Sequence, residues 1–439
     1  MYCAYVTTLK GLRKHSNADR LQCVEVFGQN VIVDLSYQEG QKVVFFPSDG
    51  QLSLEYATDN NLVRKKDENG NNIGGYMDAE KRNVTAIRLR GEKSEGLVLP
   101  IETLAKYTDI SKLKDGDQIT VLGGHEICQK YIPKGKNRSR GNGNNSNKKN
   151  KFRKETVSYP FFEEHKDTAQ LAYNMSAFKP GDTIYITRKL HGTSARTMKT
   201  VKVTKKNSKL RKFLHMQPKV TREVSVVSGS RRVVLKDMTK NDGYYSDNGF
   251  RNKYHDLLKD KLPEGAEIFY EIVGYVNKTT PIMGSVSNKG VKEKEFTKKF
   301  GDTTTFSYGC EPGENEMYVY RMTMTTADGT VVEVPWETVE VWCDKLGVKH
   351  VPDLEKFIFT TPEDLKERVN KYLDGMPADE IGKTHIAEGV VVRIDNRATF
   401  TAYKDKVFEF KVIEGIAKDT SDVPDMEEAE ELFEETLNE

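Results

Sequence analysis

Hydrophobic positions in the first third of the chain come in short runs of β-branched and aromatic residues, each closed by a turn former. Residues 30–35, 42–47, 86–91 and 118–122 predict strands, and Asn69-Gly70 with Gly74-Gly75 predicts a loop among them. Five or so short strands of this kind close most simply into a small barrel. From Lys134 to Lys154 the pattern stops: the segment is polar, rich in Gly and Asn, and too poor in apolar groups to offset its ordering entropy. Beyond it the pattern turns α+β. Strands are predicted over 183–187, 224–227, 268–273, 317–324, 390–394 and 400–410, and helices over 250–262, 337–346 and 362–373. Thr361-Pro362-Glu363-Asp364 opens the last helix with an N-cap, a proline at the first position and an acid three residues after the cap. The boundaries expected are a first domain at 1–133, a linker at 134–157, a second domain at 158–418 and a tail at 419–439.

A chain of 439 residues, 37 % apolar and 31 % charged, is long enough for two or three units with cores of their own. Its 68 Lys and Arg against 66 Asp and Glu leave a formal charge of +2, so bulk charge names no partner and only its distribution can. The 134–154 segment holds nine cations and no acid; 419–439 holds ten acids and no cation. Five cysteines without a CxxC pair suit a reducing, cytoplasmic setting better than a disulfide framework. His125 and Cys128 stand three apart with no second pair, too little for a zinc site. No leader or run of about 18 apolar residues is present, so neither processing nor a membrane partner is expected.

The string Arg188-Lys189-Leu190-His191-Gly192-Thr193 puts a lysine at the end of a β-run, beside a glycine that lets backbone approach a ligand. A surface lysine is a poor nucleophile near pH 7, whereas one desolvated among cations attacks phosphorus; Arg188, Arg196 and a bound metal are the expected surroundings. Ser230-Arg231-Arg232 ends a strand with two guanidiniums suited to phosphate. Glu271 lies inside an apolar strand, where a carboxylate is costly unless it binds something. Tyr318 and Tyr320 share a strand face, as core aromatics or as a platform for a base. Glu388 stands at the mouth of a buried strand, and Lys404 and Lys406 point to one side soon after. An acid for a divalent cation, lysines for phosphates and an aromatic for a base make a nucleotide site.

In this order the set from Lys189 to Lys406 resembles the covalent nucleotidyltransferase superfamily of ATP-dependent ligases and capping enzymes. Lys-x-His-Gly-Thr is similar to one RNA ligase branch, and 86–91 followed by Ser94-Glu95-Gly96-Leu97 resembles the N-terminal OB domain of another. The resemblance implies an OB-type barrel ahead of an adenylation domain with antiparallel sheets flanked by helices. It implies Lys189 as the nucleophile that forms lysyl-AMP, Arg231 on phosphate, Glu271 on the ribose hydroxyls, Tyr320 or Tyr318 on adenine, and Lys404 and Lys406 on the α-phosphate. Arg188, His191, Gly192 and Arg196 flank the nucleotide, and Glu388 is the metal-linked acid, with ATP and Mg²⁺ or Mn²⁺ as cofactors.

The partner implied is RNA, a nicked duplex with 3′-hydroxyl and 5′-phosphate ends, sealed by a monomer in RNA repair. A DNA ligase, an mRNA guanylyltransferase and a non-catalytic RNA-binding protein are the alternatives. The front position of the OB candidate disfavours the second; the joint presence of Lys189, Glu388 and the Lys404/Lys406 pair disfavours the third.

Overall fold

The computed structural model describes residues 2–66, 72–131, 155–162, 165, 168–208, 211, 213–214, 216–231, 234–235, 249–415 and 417–419. The expected basic linker at 134–154, the tail beyond 419 and Arg232 lie outside the described residues. Two compact units form, and neither is one continuous stretch. The first joins Met1–Ser139, Ser287–Lys299 and Phe408–Glu439; the second joins Arg140–Val286 and Phe300–Val407.

The first unit contains β1 (Ala4–Thr8), β2 (Leu21–Val26), β3 (Gln29–Asp34), β4 (Lys42–Phe46), β5 (Ala86–Leu89), β6 (Leu97–Pro100) and β7 (Gln118–Ile119). Its main sheet has the order β6-β4-β1-β7, all antiparallel, with Val6 opposite Val44 and Val98 opposite Phe45. Val43 to Phe46 are all fully buried, as a central strand covered on both faces requires. β2 and β3 form a separate hairpin sheet, and β5 pairs with Glu92–Ser94 and, in parallel, with Ala417–Asp419. Among the described residues these pairings make several small sheets, without a ladder closing them into one barrel. Arg88 explains why later chain returns to this unit: its guanidinium pairs with Glu293 and with Glu409 at 2.9 Å, and it lies 5.0 Å from the centre of the Phe408 ring. Lys411 reaches Glu95 at 2.7 Å in the same unit.

The second unit contains β8 (Thr183–Lys189), β9 (Thr193–Lys206), β10 (Lys219–Ser230), α1 (Gly249–Leu258), β11 (Ala266–Asn277), β12 (Asn315–Thr325), α2 (Trp336–Leu346), β13 (Asp353–Ile358), α3 (Pro362–Leu373), β14 (Gly389–Ile394) and β15 (Ala402–Lys406). One sheet runs β15-β14-β8-β13, and the larger one carries β10-β9-β11-β12 as its spine. The fold is mixed α+β with mainly antiparallel sheets and few helices. α3 matches its predicted limits because the Thr361 hydroxyl accepts from the Asp364 amide, and Leu365, Val369 and Leu373 make one buried stripe. α2 stops at Gly347, which takes the left-handed turn (φ 71°) that ends a helix without strain.

One predicted element is corrected. Residues 400–410 are not a single strand: β15 ends at Lys406, the Val407 amide donates to the Glu388 carbonyl, and Phe408–Ile413 is a helix of the first unit. Its Phe408 and Val412, four apart and both buried, follow helical rather than strand spacing. Among the described residues no helix is long and apolar enough to cross a membrane.

Candidate active site

Three adjacent strands bring the chemistry of one sheet into a row. β8 pairs with β14 so that Lys189 lies opposite Gly389, and β14 pairs with β15 so that Gly389 lies opposite Lys406. A Cβ on Gly389 would come within 2.1 Å of the Asp405 carbonyl oxygen, so only glycine lets β15 lie this close. The result is a buried carboxylate gripped from both sides. Glu388 Oε1 receives Lys189 Nζ at 2.8 Å and Lys406 Nζ at 3.0 Å, with His191 Nδ1 4.0 Å away. Burial works against the charge on Glu388, but Lys189 and Lys406, aided by His191, hold its carboxyl well below the usual carboxylate range. Its second oxygen, Oε2, is buried without a hydrogen-bond partner.

The second sheet supplies the opposite wall. Gly192 stands just before β9, packed against β11, where a Cβ would meet the Ile272 carbonyl oxygen at 2.3 Å. Ser194 stands opposite Glu271 in the ladder. Glu271 accepts from the Gly192 amide at 3.1 Å and from the Ser194 hydroxyl at 2.8 Å. Burial nevertheless dominates and pushes its carboxyl up to about 7, against the opposing pull of Lys189 and these hydrogen bonds. The Tyr320 hydroxyl reaches Ser194 Oγ at 3.5 Å, beside the irregularity where β11 and β12 shift register at Phe269/Tyr270. The His191 amide donates to the Tyr308 hydroxyl at 2.7 Å, and burial pushes the His191 ring down to about 4, which keeps it neutral near pH 7.

These walls enclose a cavity of about 430 Å³, lined by Arg188, Lys189, His191, Gly192, Arg231, Glu271, Tyr320, Lys404 and Lys406 among the residues singled out from sequence. The volume suits a nucleotide-sized ligand. Glu388 sits just behind the lining, hydrogen-bonded to it through Lys189 and Lys406.

Three expected contacts are placed elsewhere or otherwise engaged. Arg188 alternates away from Lys189 along β8: its guanidinium binds Glu380 at 2.6 and 2.5 Å and donates to the Gly389 carbonyl at 3.1 Å. Arg196 is fully buried, pairs with Glu267 at 2.9 Å and stacks 3.6 Å from the centre of the Phe162 ring. Neither guanidinium surrounds the Lys189 amine as the sequence suggested; Lys406, held on the same carboxylate, is its close cation. Tyr318 is buried opposite Glu271 in the ladder but does not line the cavity. His125, set aside as a zinc ligand, pairs with Glu55 at 3.0 Å, and the Cys128 thiol donates to the Ile119 carbonyl.

The cavity also takes in residues to which the sequence gives no role in the site, among them His165, Ser194, Arg393 and Phe400. Arg393 closes the pattern Glu388-Gly389-x-x-x-Arg393, one of the motifs of the Lys189 to Lys406 set; its buried guanidinium lies 4.5 Å from the centre of the Trp336 ring and donates to the Tyr320 carbonyl. His165 and Phe400 carry no motif signal. They meet at 6.2 Å between ring centres, with Phe269 and Tyr320 completing an aromatic cluster around His165.

The chain folds like known ligase structures. Naegleria gruberi RNA ligase, as a mutant with ATP and Mn, superposes with a TM-score of 0.54 at 15 % identity, covering 92 % of this chain and 96 % of that one. A mutant with AMP and Mn gives 0.55 at 16 %, with the same coverage, and the protein with PPi gives 0.55 at 16 %, covering 93 % and 97 %. No curated protein matches. The family model described as RNA ligase matches residues 182–413, more than half of the chain and all of the Lys189 to Lys406 set, and by that match this chain belongs to the RNA ligase family.

Proposed function

We propose that the protein is an ATP-dependent RNA ligase that joins 3′-hydroxyl and 5′-phosphate ends through lysyl-AMP and an adenylated 5′ end. The observation that carries this reading is the row Lys189, Glu388, Lys406 facing Glu271 across a nucleotide-sized cavity. In the first step the Lys189 amine attacks the α-phosphorus of ATP, a P–N bond forms and pyrophosphate leaves. In the second, AMP passes to a 5′-phosphate; in the third, a 3′-hydroxyl displaces AMP and the strand is closed. No acid–base chemistry at carbon is needed, so positioning and charge complementarity carry the catalysis. Lys404, Lys406 and Arg231 supply positive charge on the phosphate side, and Glu271, fixed by Gly192 and Ser194, faces the ribose. Tyr320 is the aromatic that borders the cavity and takes the base.

The site fits a divalent cation. Glu388 Oε2 is a buried carboxylate oxygen with no hydrogen-bond partner, and Glu388 would hold the ion, which would neutralise charge building on the phosphates. The Naegleria structures that hold ATP or AMP with Mn support this reading.

The first unit serves, in the same proposal, as the OB-type domain that holds nucleic acid, and the second as the adenylating domain. The substrate is nicked duplex RNA and the working form a monomer in the cytoplasm, where the five free thiols remain reduced. The test is incubation with labelled ATP and Mg²⁺ followed by a denaturing gel. Covalent label on the wild type and none on Lys189→Ala is the expected result; equal labelling of both would end the assignment.

A further inference from the structure

The two strands that bring Ser194, Ser230 and Arg231 to the cavity do not stop there. β9 and β10 pair residue by residue from Ala195 opposite Ser230 out to Lys206 opposite Lys219. At about 3.3 Å per residue, the strand from Ser194 to Lys206 is roughly 40 Å long. Ala195 and Met198 are buried near the cavity, while farther out Val220 and Val224 are 45 % and 46 % exposed, and Phe213 beyond them is 79 % exposed. Between Lys199 and Arg222 the sequence carries cations at 199, 202, 205, 206, 209, 211, 212, 219 and 222 and no acid at all. Among the described residues, Lys202 is neutralised by Glu223 at 2.9 Å and Lys206 by Glu155 at 3.6 Å; Lys205, Lys219 and Arg222 are exposed and in no ion pair.

A sheet needs none of this charge to form: cations side by side on β9 and β10, where Glu155–Ser158 pairs along the outer edge of β9, repel, and such a density is kept where a polyanion lies against it. We propose that this hairpin is a docking arm for the RNA duplex, in which Lys205 and Arg222 on one face, with Arg211 and Lys219 toward its outer end, lie along backbone phosphates and Phe213 packs at the far end of the contact. Continuity with the cavity favours RNA over a lipid surface, because the arm grows from the same strands that present the site for strand ends. The inference rests on the RNA ligase reading and adds to it a contact remote from the chemistry. Phosphate contacts fix register and carry affinity without reading sequence.

The test compares the wild type with the variant Lys205→Gln, Arg211→Gln, Lys219→Gln, Arg222→Gln, and separately with Phe213→Ala, in the full chain. The probe is a labelled nicked RNA duplex with about 20 pairs on each side, and a second with about five pairs on each side, which reaches less than half the roughly 40 Å length of the arm and falls short of its outer end. The fourfold variant should bind the long duplex about tenfold or more weakly near 100 mM salt. Its slope of log affinity against log salt should be shallower by about 2 to 4, since each lost phosphate contact removes close to 0.9. It should bind the short duplex like the wild type and take label from ATP within about twofold of it, while Phe213→Ala should weaken the long duplex without changing the slope. Unchanged affinity and slope on the long duplex would overturn the proposal. So would an equal defect on the short duplex, or binding to phosphatidylserine vesicles that the fourfold variant loses while RNA binding is kept. Absence of ATP labelling in the wild type would end the ligase reading instead, and the salt slopes would still report on the arm.

Discussion

Glu271→Gln isolates the cost of a buried charge in the cavity wall. Glutamine keeps the shape and both hydrogen bonds, its carbonyl accepting from Gly192 and its amide donating to Ser194 Oγ, so what changes is the ability to ionise. Burial pushes the Glu271 carboxyl from 4.5 to about 7, and a raised acid means the folded state holds its proton more tightly than the unfolded chain. Stability is therefore highest below pH 4.5, falls as pH rises toward 7, and levels off above it. At about 1.4 kcal/mol per pH unit, the full penalty is about 3.5 kcal/mol, an upper bound because one edge of Glu271 opens to the cavity. The variant pays none of it, so its advantage should be near zero at pH 4.5 and reach about 2 to 3 kcal/mol by pH 8. Urea unfolding followed by tryptophan fluorescence reads the right unit, since both tryptophans, Trp336 and Trp342, belong to it. Parallel stability curves for the two proteins across pH 4.5 to 8.5 would refute the reasoning, and a narrower gap in the presence of bound ATP would place the cost at the ligand site.

Lys189→Ala should take no label from ATP yet retain some sealing of a pre-adenylated strand, since the later steps need no lysine nucleophile; full labelling of the variant would contradict this. Glu388→Ala should lose self-labelling by roughly 10²-fold or more, as expected when charge stabilisation at the reacting phosphate is lost, and near-normal labelling at saturating Mg²⁺ would make Glu388 structural. Arg88→Ala should destabilise the first unit by about 3 kcal/mol by leaving the buried Glu409 carboxylate without its cation, with ATP labelling intact; an unchanged melting temperature would count against it. Sealing of four matched nicks with RNA or DNA on each side should be fastest with ribonucleotides at the 3′-hydroxyl side, and equal sealing of the all-DNA nick would move the substrate to DNA.

What the sequence made legible is what is local. Lys189, His191 and Gly192 lie within four residues, Glu388 abuts its glycine, and Lys404 and Lys406 are two apart on one strand, so spacing alone carries each fragment. Orientation across long separations is less visible. Arg188 looks like part of the nucleophile's surroundings because it is its neighbour, yet strand alternation sends it to Glu380, 192 residues on, a partner no local pattern announces. Arg196 goes to Glu267 for the same reason. The first unit shows the other limit: a linear reading ends its domain near 133, whereas Arg88 draws Glu293 and Glu409 back into it. The nine cations from Lys199 to Arg222 are as plain in composition as the 134–154 segment, but the stretch holds no glycine to mark a linker, and the sequence reading assigns it no element.

The grip on Glu388 bears on how a lysine held by a carboxylate can serve as a nucleophile. In the proposed first step Lys189 must leave its 2.8 Å ion pair with Glu388 to reach phosphorus. A carboxylate with one cation would be left buried and unpaired when that lysine moved to the phosphate, at a cost of several kcal/mol. Glu388 has two. When Lys189 leaves, Lys406 still holds Oε1 from 3.0 Å, and the buried charge keeps a partner through the step. In the proposed step Lys406 would thus make the departure of Lys189 from Glu388 inexpensive, a positioning role separate from any contact of its own with phosphate. On this account Lys406→Met, similar in length and without charge, should slow self-labelling more than sealing of a pre-adenylated strand, which needs no departure of Lys189 from Glu388, whereas loss of a phosphate contact alone would lower both equally.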